Sequence, residues 1–359
     1  MKGRTRTPRR PARGLTLLEL ILAVGLLSVL VAGVLQLLDT SVTLWDKTET
    51  RRDLVEIGSS VTELLASDLK DVHGGARGDL LFEWQLFDTN ADRIAAVPWP
   101  RLRLVRVASA AELQDLGGSR ALDVGDALIE VCWAVLPEGG LAPGDPRRAQ
   151  GVLWRAERVT TDGGTSFFAE DFFGARGAPP PGTLHEVTGG ILWLAVQFAT
   201  QTSLVREEWK VGTELEDAAA SWDAWTRGRP DASLHPWNER SAGLADARDV
   251  PVLPRRVRVE LEIERPRDVK RRPVLKAAAD RDDVVFRVSD ASRLPADGSF
   301  LLVDEEWVRL VSRAGSRVTV RRAARGTRAA NHAQGSVVHF GAPTVREVPV
   351  ALFREDWNL

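Results

Sequence analysis

Residues 15–38 form an almost wholly apolar run, broken by the carboxylate of Glu19 and, near its end, by Gln36. A helix rises about 1.5 Å per residue, so about 20 such residues cross a hydrocarbon core. Ahead of the run stand Lys2, Arg4, Arg6, Arg9, Arg10 and Arg13, with no acid among the first fourteen residues. That basic flank predicts a cytoplasmic N-terminus and a translocated body. A carboxylate in such a helix costs about 2.5–3.5 kcal/mol on insertion scales, so Glu19 calls for a partner.

Three readings account for the run. A secretory signal peptide has an apolar core of roughly 7–15 residues, followed by its cleavage site. This run is longer, and its acid lies at the start. A plain signal anchor suits the length but gives Glu19 no role. The third reading puts cleavage before the run, after Gly14. The new terminus is then the amine of Leu15, and Glu19 lies four residues along, one helical turn away. The acid can pair with its own terminus or with a neighbour's inside a filament, which makes it a registry device.

The residues RGLTLLELILAVGLLSVLVAGVL resemble the class III signal of type IV pilins and type II secretion pseudopilins. The matching features are the basic leader 1–14, Gly14 before the cut, Leu15 and Thr16 after it, Leu17-Leu18, and Glu19 at the fifth mature position. The resemblance implies a prepilin peptidase that cuts between Gly14 and Leu15 and N-methylates Leu15. Leu15 departs from the usual Phe or Met but remains apolar. Single-pass placement in a bacterial inner membrane, with the C-terminal domain in the periplasm, is implied as well.

After the run, Leu54, Ile57, Val61, Leu64, Leu65, Leu69 and Val72 recur at helical spacing. His73-Gly74-Gly75 then stops the pattern. One helix is therefore expected over 15–72, with 15–38 in lipid or a filament core and an amphipathic second half packed on a sheet. From about Asp79 the texture changes to short strand-like runs between Gly/Pro turns, at 80–87, 101–108, 127–136, 151–159, 191–200, 204–211, 255–264 and 346–353. The predicted class is α+β, with a long N-terminal helix on antiparallel sheets. A main β domain is expected over 76–276, completed by 342–359. Residues 277–341 read as an inserted small β module of four or five strands with Asp-Gly and Ala-Gly turns. It resembles modules of phage-tail and surface proteins.

The order ALIEVCWAVLPEGG, GVLWRAERV, GGILWLAVQFAT and VPVLPRRVRVELEIE resembles J-type minor pseudopilins. In particular, Leu153-Trp154-Arg155 matches their short strand, and Leu253-Pro254 precedes valines at 257 and 259. The resemblance implies assembly with other major and minor pseudopilins at a filament tip in a type II secretion system. A minor pilin of a type IV pilus, priming assembly or carrying an adhesive tip, is the alternative. A membrane-anchored periplasmic enzyme is a third.

Chemistry is hard to find in this chain. It has no GxSxG elbow, Walker loop, GxGxxG after a strand, or HExxH. No catalytic residue, metal site or cofactor is expected. The five histidines, at 73, 185, 235, 332 and 339, show no ligand spacing, and His332 and His339 read as surface or turn residues. Acids at 280, 282 and 283 and at 304–306 could gather on calcium, but they match no EF-hand and read as a solvated turn and a polar strand. The single cysteine, Cys132, excludes an intrachain disulfide and sits in an apolar strand as an inert thiol. The six leader cations hide an acidic remainder of net charge -8, which does not suit nucleic acid. Trp209, Trp222, Trp225 and Trp237 cluster in a long connection, as a docking surface or as a cap on the core.

Overall fold

A computed structural model describes residues 17–75, 77–88, 96–109, 111–112, 128–138, 141, 145–160, 165–169, 172–173, 182–203, 206–210, 221–225, 251 and 253–350. The chain divides into two units, Met1–Asp53 and Leu54–Leu359. Helix α1 spans Leu17–Lys70. Within the first unit its apolar side chains, such as Leu22, Leu26 and Leu30, are exposed. The hydroxyls that interrupt them are satisfied locally. Ser28 donates to the Val24 carbonyl and Thr40 to the Gln36 carbonyl, each at 2.8 Å.

The second unit begins with the last turns of α1 and holds two antiparallel sheets. Strands β1 (Leu80–Asp88), β2 (Ala96–Val107), β3 (Leu128–Pro137), β4 (Gly151–Val159), β5 (His185–Ser203), β6 (Arg206–Lys210), β7 (Trp222–Asp223), β8 (Arg256–Ile263) and β14 (Ala342–Pro349) form the larger sheet. Its order is β14-β8-β5-β4-β3-β2-β1-β7, with β6 also on β5. Five strands form the smaller sheet: β9 (Val285–Arg287), β10 (Phe300–Val303), β11 (Glu306–Ala314), β12 (Arg317–Ala324) and β13 (Val338–His339), in the order β13-β10-β11-β12-β9. All five lie in sequence between β8 and β14, which pair with each other. The smaller sheet has its own core, including Leu275, Phe286, Leu301, Val308, Leu310 and Val320.

The runs read as strands at 80–87, 127–136, 151–159 and 255–264 form β1, β3, β4 and β8, with ends within about two residues. β2 begins at Ala96, earlier than the 101–108 run, because Pro98 and Pro100 take up extended positions in it. β5 is 19 residues long because it serves three neighbours, β4, β8 and, at its end, β6. Its first part pairs with β4 and its second with β8, changing partner around Ile191. Gly190 makes the change possible. Its φ is +77°, and a Cβ there would meet the Glu264 carbonyl oxygen at 2.0 Å. The brief strand β7 falls inside what the sequence presents as a connection. It pairs with β1 through only Leu81–Asp223 and Phe82–Trp222, too short a stretch to show a period.

The face that α1 buries differs from the expected one. Leu54, Val61, Leu65, Ala66 and Leu69 are buried, but Ile57 and Leu64 are exposed. Gly58, Thr62 and Asp68 complete the buried face instead. The reason is close approach: a Cβ on Gly58 would lie 2.4 Å from Thr344 Oγ1 of β14. Thr62 avoids an unpaired hydroxyl by donating to the Gly58 carbonyl at 2.9 Å.

Candidate functional site

Gly14 and Leu15, the expected cleavage and methylation positions, lie outside the described residues. The backbone of Glu19 is in the first turn of described helix, and its side chain is not described. The stretch Leu20–Val42 that follows is long and apolar enough to cross a membrane. Its side chains are fully apolar on every face apart from Ser28, Gln36, Asp39, Thr40 and Ser41.

In the second unit the end of α1 is held by charge as well as by apolar packing. Asp68 is buried and accepts from the Trp133 indole at 2.8 Å. It also accepts from Arg155, through Nε at 3.0 Å and through a second guanidinium nitrogen at 2.8 Å. Arg106 Nε lies 3.0 Å from its other oxygen. Arg106 continues outward to Glu157 at 2.8 Å and Glu112 at 2.7 Å, and Glu157 also receives Arg155. Burial pulls the Arg106 guanidinium down, but its bonds to Glu112 and the charge of Asp68 outweigh that and raise its pKa. The same contest raises Arg155, with Asp68 and Glu157 as partners. The bond from Arg106, helped by Ser109, holds Glu112 down at about 2. The helix is therefore fixed in register on β2, β3 and β4 by a network linking all four elements.

The opposite face of the larger sheet is also covered. Phe167, Phe172 and Phe173 pack with Cys132, Ala134, Ala156 and Leu184. Glu130 ties this cover down by accepting from the Phe167 amide at 2.7 Å and the Ser166 hydroxyl at 2.9 Å. Cys132 is fully buried, and burial pushes its thiol up to about 12.

Trp222 and Trp225 are taken up within their own subunit. Trp222 is buried, 5.0 Å from the Phe198 ring. Trp225 packs against the main core and donates its indole N–H to the Gly78 carbonyl at 2.9 Å. Trp209 lies on β6, where its side chain is not described, and Trp237 lies outside the described residues.

Sequence reasoning missed the buried polar groups that join and stiffen the two sheets. His332 and His339 are not surface residues, since both are buried and each contacts a carboxylate. His339 Nδ1 is 2.7 Å from Glu264, which also accepts from Gln150 at 2.6 Å and from Arg272. Burial would raise the Glu264 pKa, but His339 and Arg272 outweigh it and lower it. Glu306, read from sequence as part of a polar strand, is buried and receives both arms of Arg322, at 2.7 and 2.6 Å. His332 bridges Glu306 at 3.0 Å and Asp304 at 2.7 Å. Glu262 meets Arg325 at 2.8 Å, and that guanidinium lies 4.7 Å from the Trp193 ring and 4.2 Å from those of Phe300 and Trp307. In the sequence these acids sit in alternating or turn-like patterns, and no local signal marks their partners. Among the described residues, no three His, Cys, Asp or Glu are grouped so as to hold a metal ion.

Residues 9–35 match the family described as the prokaryotic N-terminal methylation motif. The chain is type IV pilin-like in this segment. No curated protein and no solved structure matches the chain. The motif implies processing by a prepilin peptidase and assembly with other pilin-like subunits, and the apolar helix fits membrane anchoring.

Proposed function

We propose that this chain is a minor pseudopilin of the J type, acting at the tip of a type II secretion pseudopilus, and that its work is assembly rather than catalysis. The carrying observation is the methylation motif over 9–35, which runs into a helix continuing without a break to Lys70. On this reading the chain inserts in the bacterial inner membrane with its leader in the cytoplasm. The peptidase removes residues 1–14 and methylates the amine of Leu15. Glu19 then engages the N-terminal amine of a neighbour, so its desolvation cost is offset in the assembled filament. The domain after residue 53 is presented to partner subunits in the periplasm.

Mass spectrometry of membrane-extracted protein tests this directly. The expected N-terminus is N-methyl-Leu15, and an intact leader would overturn the reading. Gly14→Asp should leave the leader attached. Glu19→Ala should still be cleaved but fail to enter the filament, whereas an anchored enzyme would tolerate the change. Loss of secretion on deleting the gene supports the pseudopilus, and loss of piliation supports the alternative, a minor pilin.

A further inference from the structure

The smaller sheet carries a cationic face that its own fold does not neutralise. On β12, Val318 and Val320 are buried, and Arg317 and Arg321 on either side of them are exposed. The register places Arg321 directly opposite Arg309 of β11, and Arg317 directly opposite Arg287 of β9. Paired residues of adjacent strands share a face, so all four guanidinium groups rise from one side of the sheet. Like charges directly opposite each other destabilise a sheet. Thr319 and Ser312 pair between the two arginine pairs and add hydroxyls to the same face. Arg287, Arg317 and Arg321 have no carboxylate partner among the described residues. Elsewhere in residues 277–341, Arg313 meets Asp297 at 2.9 Å, Arg322 meets Glu306 at 2.6 Å and Arg325 meets Glu262 at 2.8 Å.

From this arrangement we infer that the exposed part of this face on β9, β11 and β12, beyond the end where Leu302 and Trp307 pack on Leu192 of β5, is a docking surface for a carboxylate-rich polypeptide segment. Charge complementarity and the form of the patch identify the occupant. Arg317 and Arg321 stand roughly 13 Å apart along the strand, a spacing that suits several side chains of an extended segment rather than one small anion. Guanidinium forks pair with carboxylates in two parallel bonds. Exposed Val285 and Val311 adjoin the arginines and supply the apolar contact usual in protein interfaces. Nucleic acid would call for exposed stacking rings. Here Phe300 and Trp307 lie against Arg325 instead. The inference stands whether or not the chain is a filament subunit.

The full-length protein in a neutral detergent is titrated against a labelled oligoglutamate peptide, with fluorescence anisotropy as the readout. Binding that weakens with added salt is expected. The double variant Arg317→Ser/Arg321→Ser should weaken it at least about tenfold through loss of charge-assisted contacts. Arg293→Ser/Arg313→Ser, away from this face, should not. Thermal unfolding of the first variant should be unchanged or shifted upward, since like-charge pairs are removed. Absence of oligoglutamate binding, or equal binding by the Arg317/Arg321 variant, overturns the inference. So does tighter binding of phosphatidylglycerol vesicles or of a single-stranded oligonucleotide that is lost in that variant. A drop in its melting temperature would show the arginines to be structural, with the same consequence.

Discussion

Asp68 of α1 accepts a 2.8 Å hydrogen bond from the indole of Trp133 on β3, and both groups are buried. This contact sits at the centre of the charge network that holds the helix end on the sheet. Removing the carboxylate strands Arg106 and Arg155 with one less counter-charge in a dry place. Asp68→Ala should therefore cost about 3–5 kcal/mol, the usual penalty for breaking a buried pair from one side. Trp133→Phe removes only the neutral donor and some ring area, and should cost less. Denaturant unfolding followed by circular dichroism measures both, and equal stability of Asp68→Ala and the parent would refute the anchoring role.

Acid and base should both weaken the smaller sheet, each through a different group. Burial would raise Glu306, but bonds from Arg322 and His332 and two backbone amides bring it down to about 2. Its folded pKa is depressed, so its stabilising contribution is present above the ordinary value of 4.5 and is lost as pH falls towards 2. Burial would lower His332, but Asp304 and Glu306 outweigh it and raise its pKa above 6.5. Its contribution is full below 6.5 and is lost as pH rises through the folded value. Unfolding free energy measured across pH should thus fall at both ends. His332→Gln should flatten the alkaline arm and only narrow the acid arm, since Arg322 and the two amides still hold Glu306 down. Retention of the alkaline arm in that variant would assign it to another group.

The thiol of Cys132 should be silent in the native protein. Burial is the chief cause that moves it up to about 12, against the pull of Arg103 and Arg101. Iodoacetamide at mildly alkaline pH is expected to leave folded protein unmodified and to alkylate it fully in denaturant, as read by intact mass. Rapid native-state labelling would mean that the cover of Phe167, Phe172 and Phe173 opens often.

Much of the architecture was legible because it rests on local rules. The membrane-length run, the Gly-rich stop after α1 and the alternation of β8 follow from period and turn chemistry. The Ala314-Gly315 turn likewise joins β11 to β12, with Gly315 at φ +62°. What stayed hidden depends on long-range pairing. Ile57 and Leu64 fit the apolar period of the helix, but the space at Gly58 is set by Thr344, nearly three hundred residues away in sequence. His332 looked exposed because its flanks are polar and turn-like, and the carboxylate partners of both histidines lie more than twenty residues away in sequence. The processing signal was legible for the opposite reason, since its chemistry is contained in a few consecutive residues.

The joint between the two sheets should depend on the shape of one side chain as well as its charge. Arg325 meets Glu262 at 2.8 Å while its flat guanidinium rests against Trp193, Phe300 and Trp307. Burial lowers its pKa, but the Glu262 carboxylate opposes that and the group remains an ion-pair partner. Arg325→Ala leaves Glu262 buried without its cation and opens a gap among three rings. The expected cost is about 3–5 kcal/mol. Arg325→Lys keeps the charge but not the planar stacking surface, so it should recover only part of the loss. If charge alone mattered, Lys would restore stability in full. If packing alone mattered, Arg325→Met would outperform Lys. The three variants, compared by thermal unfolding with tryptophan fluorescence, separate these outcomes, and only Arg is expected to satisfy both requirements.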